Sequence, residues 1–128
     1  MTTTICLVDD NTDILGIFAI FFGKKGYNVI ETTSGQGCID LIHLKPPDII
    51  LLDVMMEPMD GWMTLVQIKN NPSTRHIPVI MVSGKNPTTE ELKIYGNLFV
   101  QYLMKPISFP QLYEAVAGVL ERRASVKI

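Results

Sequence analysis

The sequence predicts an α/β fold in which helices cover both faces of a doubly wound, five-stranded parallel sheet. Short apolar segments rich in β-branched residues alternate with longer segments that have apolar residues at helical spacing. Each strand–helix pair spans roughly 25 residues, a length suited to a βα unit. Two strand segments, residues 49–52 and 77–82, lack polar residues, as expected of strands buried on both faces.

The predicted strands are short apolar runs that end abruptly at polar residues. They are residues 5–8, 27–32, 49–52, 77–82 and 98–104. Asp9 and Asp10 follow the first strand, and Asp53 follows the third. Ser83 follows the fourth strand, and Lys105 follows the fifth. These polar residues therefore mark the carboxyl ends of four strands.

The predicted helices have capping residues at their beginnings or breaking residues at their ends. They cover residues 11–25, 34–44 and 60–70, a short segment opened by residue 88 or 89, and residues 108–120. Ser34 and Ser108 are suitable N-caps because a hydroxyl oxygen can accept a backbone N–H of the first turn. Gly26 ends the first helical pattern, and Pro46 and Pro47 end the second.

Composition limits the classes of function. The chain has 128 residues, the length of one domain, with 11 basic and 13 acidic residues. We expect no direct nucleic-acid binding, because phosphate contacts need clustered Lys and Arg. The sequence has no secretory signal and no apolar run near the ~20 residues that a membrane span requires, which predicts a cytoplasmic protein without membrane insertion. Cys6 and Cys38 are expected to be free thiols.

Several polar residues should meet at one edge of the sheet, because parallel strands present their carboxyl ends together and ligands bind there. The carboxylates of Asp9, Asp10 and Asp53 would repel one another without a divalent cation, and oxygen ligands suit Mg²⁺ or Mn²⁺. Lys105 and Ser83 would complete a site for a phosphoryl group. Asp53 is the candidate nucleophile, since a carboxylate can form an aspartyl-phosphate.

Four motifs along the chain carry a family resemblance. They are Val-Asp-Asp at 8–10, Leu-Asp-Val-Met-Met at 52–56 with Met-Asp-Gly at 59–61, Val-Ser-Gly at 82–84, and Lys-Pro at 105–106. In this order and spacing the chain resembles the receiver domain of two-component response regulators, as in single-domain chemotaxis regulators. The similarity covers about residues 3–122, so residues 1–128 are expected to form one receiver domain with 123–128 as a short tail.

The resemblance implies a flavodoxin-like fold with strand order 2-1-3-4-5. It implies that Asp53 accepts a phosphoryl group from a sensor histidine kinase or a phosphotransfer protein. Asp10, Asp53 and the backbone carbonyl of Met55 would bind the metal directly, and Asp9 would act through water. Lys105 would contact the phosphoryl oxygens, and the Lys105–Pro106 peptide bond would be cis.

The resemblance also implies how the signal leaves the site. Ser83 would move toward the phosphoryl group while the ring of Tyr102 turns inward. These changes would reshape the surface of the fourth helix, fifth strand and fifth helix, where an unidentified downstream protein would bind. Met55 and Lys85 would flank the approach of the hydrolytic water and set the lifetime of the phosphoryl group.

One departure and three alternatives accompany this hypothesis. The family usually has proline four positions after the phosphoacceptor, where this chain has Glu57, so the path of the loop is open. The main alternative is a Mg²⁺-dependent phosphohydrolase that uses Asp53 on an external substrate. An enzyme of the haloacid dehalogenase kind would want an acid at position 55, which is Met. A flavin-binding module and an inactive scaffold are less well supported. The expectation is a non-enzymatic phosphoacceptor that assists its own phosphorylation and slow dephosphorylation.

Overall fold

Strands and helices alternate through the chain in the computed structural model, which describes residues 2–126. The strands are β1 (Thr4–Val8), β2 (Asn28–Thr32), β3 (Ile49–Asp53), β4 (Val79–Ser83) and β5 (Gln101–Met104). The helices are α1 (Thr12–Lys24), α2 (Gly35–Leu44), α3 (Gly61–Asn70), α4 (Thr89–Tyr95) and α5 (Phe109–Val126). Within these residues, the predicted alternation is confirmed.

The strands form one parallel sheet in the order β2-β1-β3-β4-β5, which confirms the predicted fold class. Val8 at the end of β1 is paired with Leu52 of β3, so the residues that follow both strands leave the sheet side by side. Asp53 is paired with Val82 of β4. The register therefore places the carboxyl ends of β1, β3 and β4 at one edge.

Two apolar cores lie on opposite faces of the sheet, because alternate strand residues point to opposite sides. α2 and α3 pack on one face, where Cys38 and Leu65 are fully buried. α1 and α5 pack on the other, where Phe22 and Leu112 are fully buried. The thiols of Cys6 and Cys38 are both buried and free, as expected. Full cover on both sides explains the nearly continuous apolar sequence of the central strands.

Side-chain caps fix where the helices begin. The hydroxyl of Ser34 accepts the backbone N–H of Gly37 at 3.0 Å. The hydroxyl of Ser108 accepts the N–H of Gln111 at 3.2 Å. Both contacts agree with the caps predicted from sequence. At α4, Thr88 is the N-cap and forms a reciprocal capping box with Glu91.

Three strands begin later than predicted because the preceding turns already use the backbone N–H groups. The N–H of Tyr27 donates to the Phe22 carbonyl, so β2 begins one residue later. The N–H of Ile77 donates within the turn before β4, and Pro78 has none to donate. The N–H of Leu98 donates to the carbonyl at the end of α4, so Leu98 is not part of β5, which begins at Gln101.

The end of the chain also differs from the expected tail. α5 continues to Val126, so residues 123–126 belong to the helix. The Arg123 guanidinium donates a 2.7 Å hydrogen bond to the carbonyl of Asp48 and attaches this last turn to the loop before β3. Residues 127–128 of the predicted tail lie outside the described residues. None of the helices described combines the length and hydropathy needed to cross a membrane.

Candidate functional site

Three carboxylates meet at the carboxyl edge of the sheet. One oxygen from each of Asp9, Asp10 and Asp53 lies within 4.8 Å of the other two. Asp9 and Asp53 are only 6% and 5% exposed, whereas Asp10 is exposed to solvent. We call this group the acidic pocket. Its formation follows directly from the pairing of β1 with β3.

Lys105 reaches the acidic pocket from the far side of β4. Its ammonium lies 3.0 Å from the Oδ2 of Asp9 and 3.6 Å from the Oδ1 of Asp53. Its backbone N–H donates to the carbonyl of Ser83, which ties the end of β5 to the end of β4. The Lys105–Pro106 peptide bond is cis, the conformation that the resemblance implies.

The electrostatics of the pocket reflect an excess of negative charge. Burial raises the pKa of Asp53 to about 6, and the charge of Asp9 acts in the same direction. Lys105 and the backbone N–H of Met55 offset this rise in part. Burial opposes the charge of Lys105, but its hydrogen bond to Asp9 and the nearby carboxylates raise its pKa overall. One ammonium thus compensates three acids incompletely.

The donor set of the acidic pocket fits a hard divalent cation. Carboxylate oxygens that converge from neighbouring strands are the ligands that Mg²⁺ prefers, with water completing its coordination. A charge of +2 would offset the carboxylates that Lys105 leaves uncompensated. Asp9, Asp10 and Asp53 are the residues that could hold such an ion.

Ser83 and Tyr102 lie on two sides of the backbone of Lys85. Ser83 ends β4 and is fully buried, and its hydroxyl oxygen accepts the Lys85 N–H at 3.3 Å. The hydroxyl of Tyr102 donates to the Lys85 carbonyl at 2.8 Å. The two predicted switch residues therefore contact the same peptide segment in the loop between β4 and α4.

Met55 and Lys85 are both exposed and line a groove beside the acidic pocket. The groove has a volume of about 410 Å³, and Asp10 and Glu57 also border it. The path of the loop after Asp53 could not be predicted from the sequence. In the structure this loop contains a cis peptide bond between Glu57 and Pro58. The loop ends at Gly61, where a side chain would collide with the carbonyl of Asp53.

Trp62 also lines this groove, and no role was predicted for it from the sequence. Its side chain is 4% exposed, and its indole N–H donates to the Oε2 of Glu91 at 2.9 Å. Two features of the sequence could have drawn attention to Trp62. It is the one tryptophan in the chain, and it directly follows Gly61. The bond to Glu91 spans 29 positions and depends on tertiary packing, so local patterns could not reveal it.

Comparison with known proteins identifies the family. The model of the response regulator receiver domain matches residues 5–117, which is most of the chain and includes the acidic pocket and Lys105. The chain belongs to this receiver family. One receiver domain accounts for nearly the whole chain, and two-component signalling is the process in which the family works.

Individual receiver relatives support this assignment. The N-terminal domain of a response regulator receiver protein from Methanoculleus marisnigri is 46% identical, with a TM-score of 0.76 over 91% of this chain and 95% of that one. The polar-differentiation response regulator DivK of Brucella ovis is 32% identical over 94% of this chain and 98% of its own length. A probable cyclic di-GMP phosphodiesterase of Vibrio cholerae is 36% identical over 98% of this chain, which spans only 28% of that relative.

Proposed function

We propose that this receiver domain is a phosphoacceptor switch, in which Asp53 takes a phosphoryl group from a histidine kinase or a phosphotransfer protein. The observation that carries the proposal is the acidic pocket around a buried Asp53, with Lys105 within 3.6 Å of its carboxylate. A buried carboxylate between like charges and one ammonium suits a nucleophile whose product is a bound phosphoryl group.

The side chains of the pocket divide the chemistry among them. An oxygen of Asp53 attacks phosphorus, and the bond to the donor's nitrogen breaks with its electron pair returning to that nitrogen. Lys105 then contacts the phosphoryl oxygens. Its ion pair with Asp9 already holds the ammonium beside Asp53. A Mg²⁺ or Mn²⁺ ion held by Asp10, Asp53 and the Met55 carbonyl, with Asp9 acting through water, would neutralise phosphoryl charge.

The signal would leave the site through Ser83 and Tyr102. Ser83 can donate its hydroxyl hydrogen to a phosphoryl oxygen, because its present contact with the Lys85 N–H uses the hydroxyl oxygen only as acceptor. Tyr102 would release the Lys85 carbonyl and turn inward. Because both residues contact Lys85, the loop between β4 and α4 can couple the two movements. The surface of α4, β5 and α5 would then bind a downstream protein, and we propose that this occurs in the cytoplasm.

A hydrolase that acts on an external substrate receives no support from the site. A hydrolase of the haloacid dehalogenase kind needs an acid two positions after its nucleophile, where this chain has the exposed thioether of Met55. Thioethers do not donate or accept protons at ordinary pH. Receiver domains are typically non-enzymatic phosphoacceptors, and we propose the same for this chain.

The proposal is tested by intact-mass measurement after incubation with acetyl phosphate. The parent should gain one phosphoryl group when Mg²⁺ is present and none when a chelator removes the metal. Asp53→Asn should gain none, while Asp40→Asn, which alters an exposed acid on α2, should behave like the parent. Labelling of Asp53→Asn at the parent's level would refute the assignment.

A further inference from the structure

The indole of Trp62 is attached to the segment that follows the phosphoacceptor. Gly61 donates its N–H to the carbonyl of Val54 at 2.8 Å, and a side chain at Gly61 would meet the backbone of Asp53 and Val54. α3 therefore begins in backbone contact with the end of β3. Trp62 is the next residue and is buried, so its position is fixed relative to Asp53.

Trp62 also contacts both half-buried residues of α4. The other five residues of α4 are exposed, including Leu92 at 46% and Ile94 at 62%. Glu91 accepts the indole N–H at 2.9 Å. Tyr95 stacks on the indole ring with a centroid distance of 4.7 Å and an interplanar angle of 6°. The first and last turns of α4 are thus both anchored on one side chain.

The same side chain limits the loop that connects Ser83 to α4. Glu91 accepts the Thr88 N–H at 2.8 Å, so the contact with Trp62 extends to the last residue of that loop. At the other end of the loop, the Lys85 backbone is held by Ser83 and Tyr102. Tyr102 also stacks against the indole at a centroid distance of 6.2 Å. Any displacement of this loop must be accommodated by contacts to Trp62.

From this geometry we propose that Trp62 is a positioning residue that holds α4 in its unphosphorylated place and thereby opposes phosphorylation of Asp53. The inference rests on the proposed function and adds a regulatory contact to it. In the proposed switch Ser83 moves toward the phosphoryl group with the loop that it contacts at Lys85, and α4 resists that shift while Glu91 and Tyr95 stay on Trp62. A contact made only in one state shifts the equilibrium toward that state.

The test is the affinity for beryllofluoride, an acyl-phosphate mimic, measured with Mg²⁺ by fluorine NMR. Trp62→Phe removes the indole N–H and keeps an aromatic ring against Tyr95. It should bind the mimic about three- to tenfold more tightly than the parent, as expected when one hydrogen bond of ordinary net strength, to the half-buried Glu91, is lost from the unbound state. Glu91→Gln keeps a weaker acceptor and should give a smaller gain in the same direction.

Glu90→Gln is the matched control, because Glu90 is an exposed acid in the same turn of α4 as Glu91. Loss of its charge should leave the affinity within about twofold of the parent's. Equal or weaker binding by Trp62→Phe, or a gain in Glu90→Gln as large as that in Glu91→Gln, would overturn the proposal. If Trp62→Phe unfolds at a lower urea concentration than the parent but does not bind beryllofluoride more tightly, Trp62 has only a structural role and the proposal is also overturned. If the parent itself binds no beryllofluoride, the proposed function fails instead.

Discussion

Asp9 and Asp10 are adjacent in sequence, yet their carboxylates have different surroundings. Asp9 is buried and accepts the Lys105 ammonium at 3.0 Å and the N–H of Asn11 at 2.9 Å. Asp10 is exposed, and its carboxylate reaches the same pocket. The acid already committed to a lysine has less capacity to bind a metal directly.

We therefore predict that Asp10→Ala weakens Mg²⁺ binding more than Asp9→Ala does. Loss of a direct carboxylate ligand should weaken binding by roughly tenfold or more, given the Coulomb energy of one charge near a cation at a protein surface. A titration of Mg²⁺ against each variant measures the order. If Asp9→Ala has the larger effect, the direct and water-mediated roles are exchanged.

The raised pKa of Asp53 predicts how stability depends on pH in the metal-free protein. Its ordinary value of 3.8 rises to about 6 on folding, first because of burial and then because of Asp9. The folded state therefore holds the proton more tightly. This stabilisation is complete below about pH 4 and is lost as the pH rises through about 6.

Asp53→Asn should remove this pH dependence and be the more stable protein at neutral pH, by about 1–2 kcal/mol after allowance for solvent screening. Urea unfolding with a chelator, at several pH values between about 4 and 7, measures the difference between parent and variant. That difference should grow with pH. A difference that is constant across the range would contradict the assigned pKa shift.

Met55 bears on how long the phosphoryl group survives. Its side chain is 56% exposed and apolar, so it cannot orient a hydrolytic water through a strong hydrogen bond. Lys85 lies on the same groove and can obstruct the approach. Met55→Asn should hasten loss of the phosphoryl group by about 3- to 30-fold, if one hydrogen bond worth roughly 0.7–2 kcal/mol is gained in the transition state.

The decay of phosphorylated protein after removal of the donor measures this change. Met55→Leu is a suitable control because it keeps an apolar side chain and should decay like the parent. If Met55→Asn decays no faster than Met55→Leu, the water-shielding argument fails, whether or not Asp53 is the acceptor.

At the scale of elements, the β4–α4 loop is where the proposed switch has structural consequences. The Lys85 N–H donates to the Ser83 hydroxyl, so movement of Ser83 should expose that amide directly. Tyr102 donates to the Lys85 carbonyl, so its release should loosen the same loop. We predict that hydrogen exchange of the amides of residues 84–88 and of β5 around Tyr102 changes when beryllofluoride and Mg²⁺ bind. The amides of β1 should remain unchanged and serve as the internal reference. Unaltered exchange around Tyr102 would contradict the relay.

The ends of elements explain which boundaries the sequence could predict. Strand ends were predictable to within one residue because an apolar run stops at a charged or polar residue, although β3 and β4 include Asp53 and Ser83, which were predicted to follow them. The beginnings of strands were less predictable, because they depend on which carbonyl groups accept the N–H groups of the preceding turn. Leu98 is apolar and packs against the core, yet its N–H belongs to the turn after α4 and not to β5.

At the scale of the whole molecule, the parallel class followed from alternation and apolar strands, whereas the strand order came from the resemblance to a family. Periodicity gives no information about which strands are neighbours. The acidic pocket was predictable because parallel strands bring their carboxyl ends together. The contact of Trp62 with Glu91 was not, because it joins α3 to α4 through a packing geometry that no local motif encodes.

If the acidic pocket directs phosphorylation to Asp53, the phosphoryl group must be found at that position of the chain. Borohydride reduction of the phosphorylated protein converts an aspartyl-phosphate to homoserine, which tandem mass spectrometry can assign to a position. We expect homoserine at residue 53 alone, and only after incubation with acetyl phosphate and Mg²⁺. Homoserine at Asp9 or Asp10, or equal conversion at residue 53 without the metal, would contradict it.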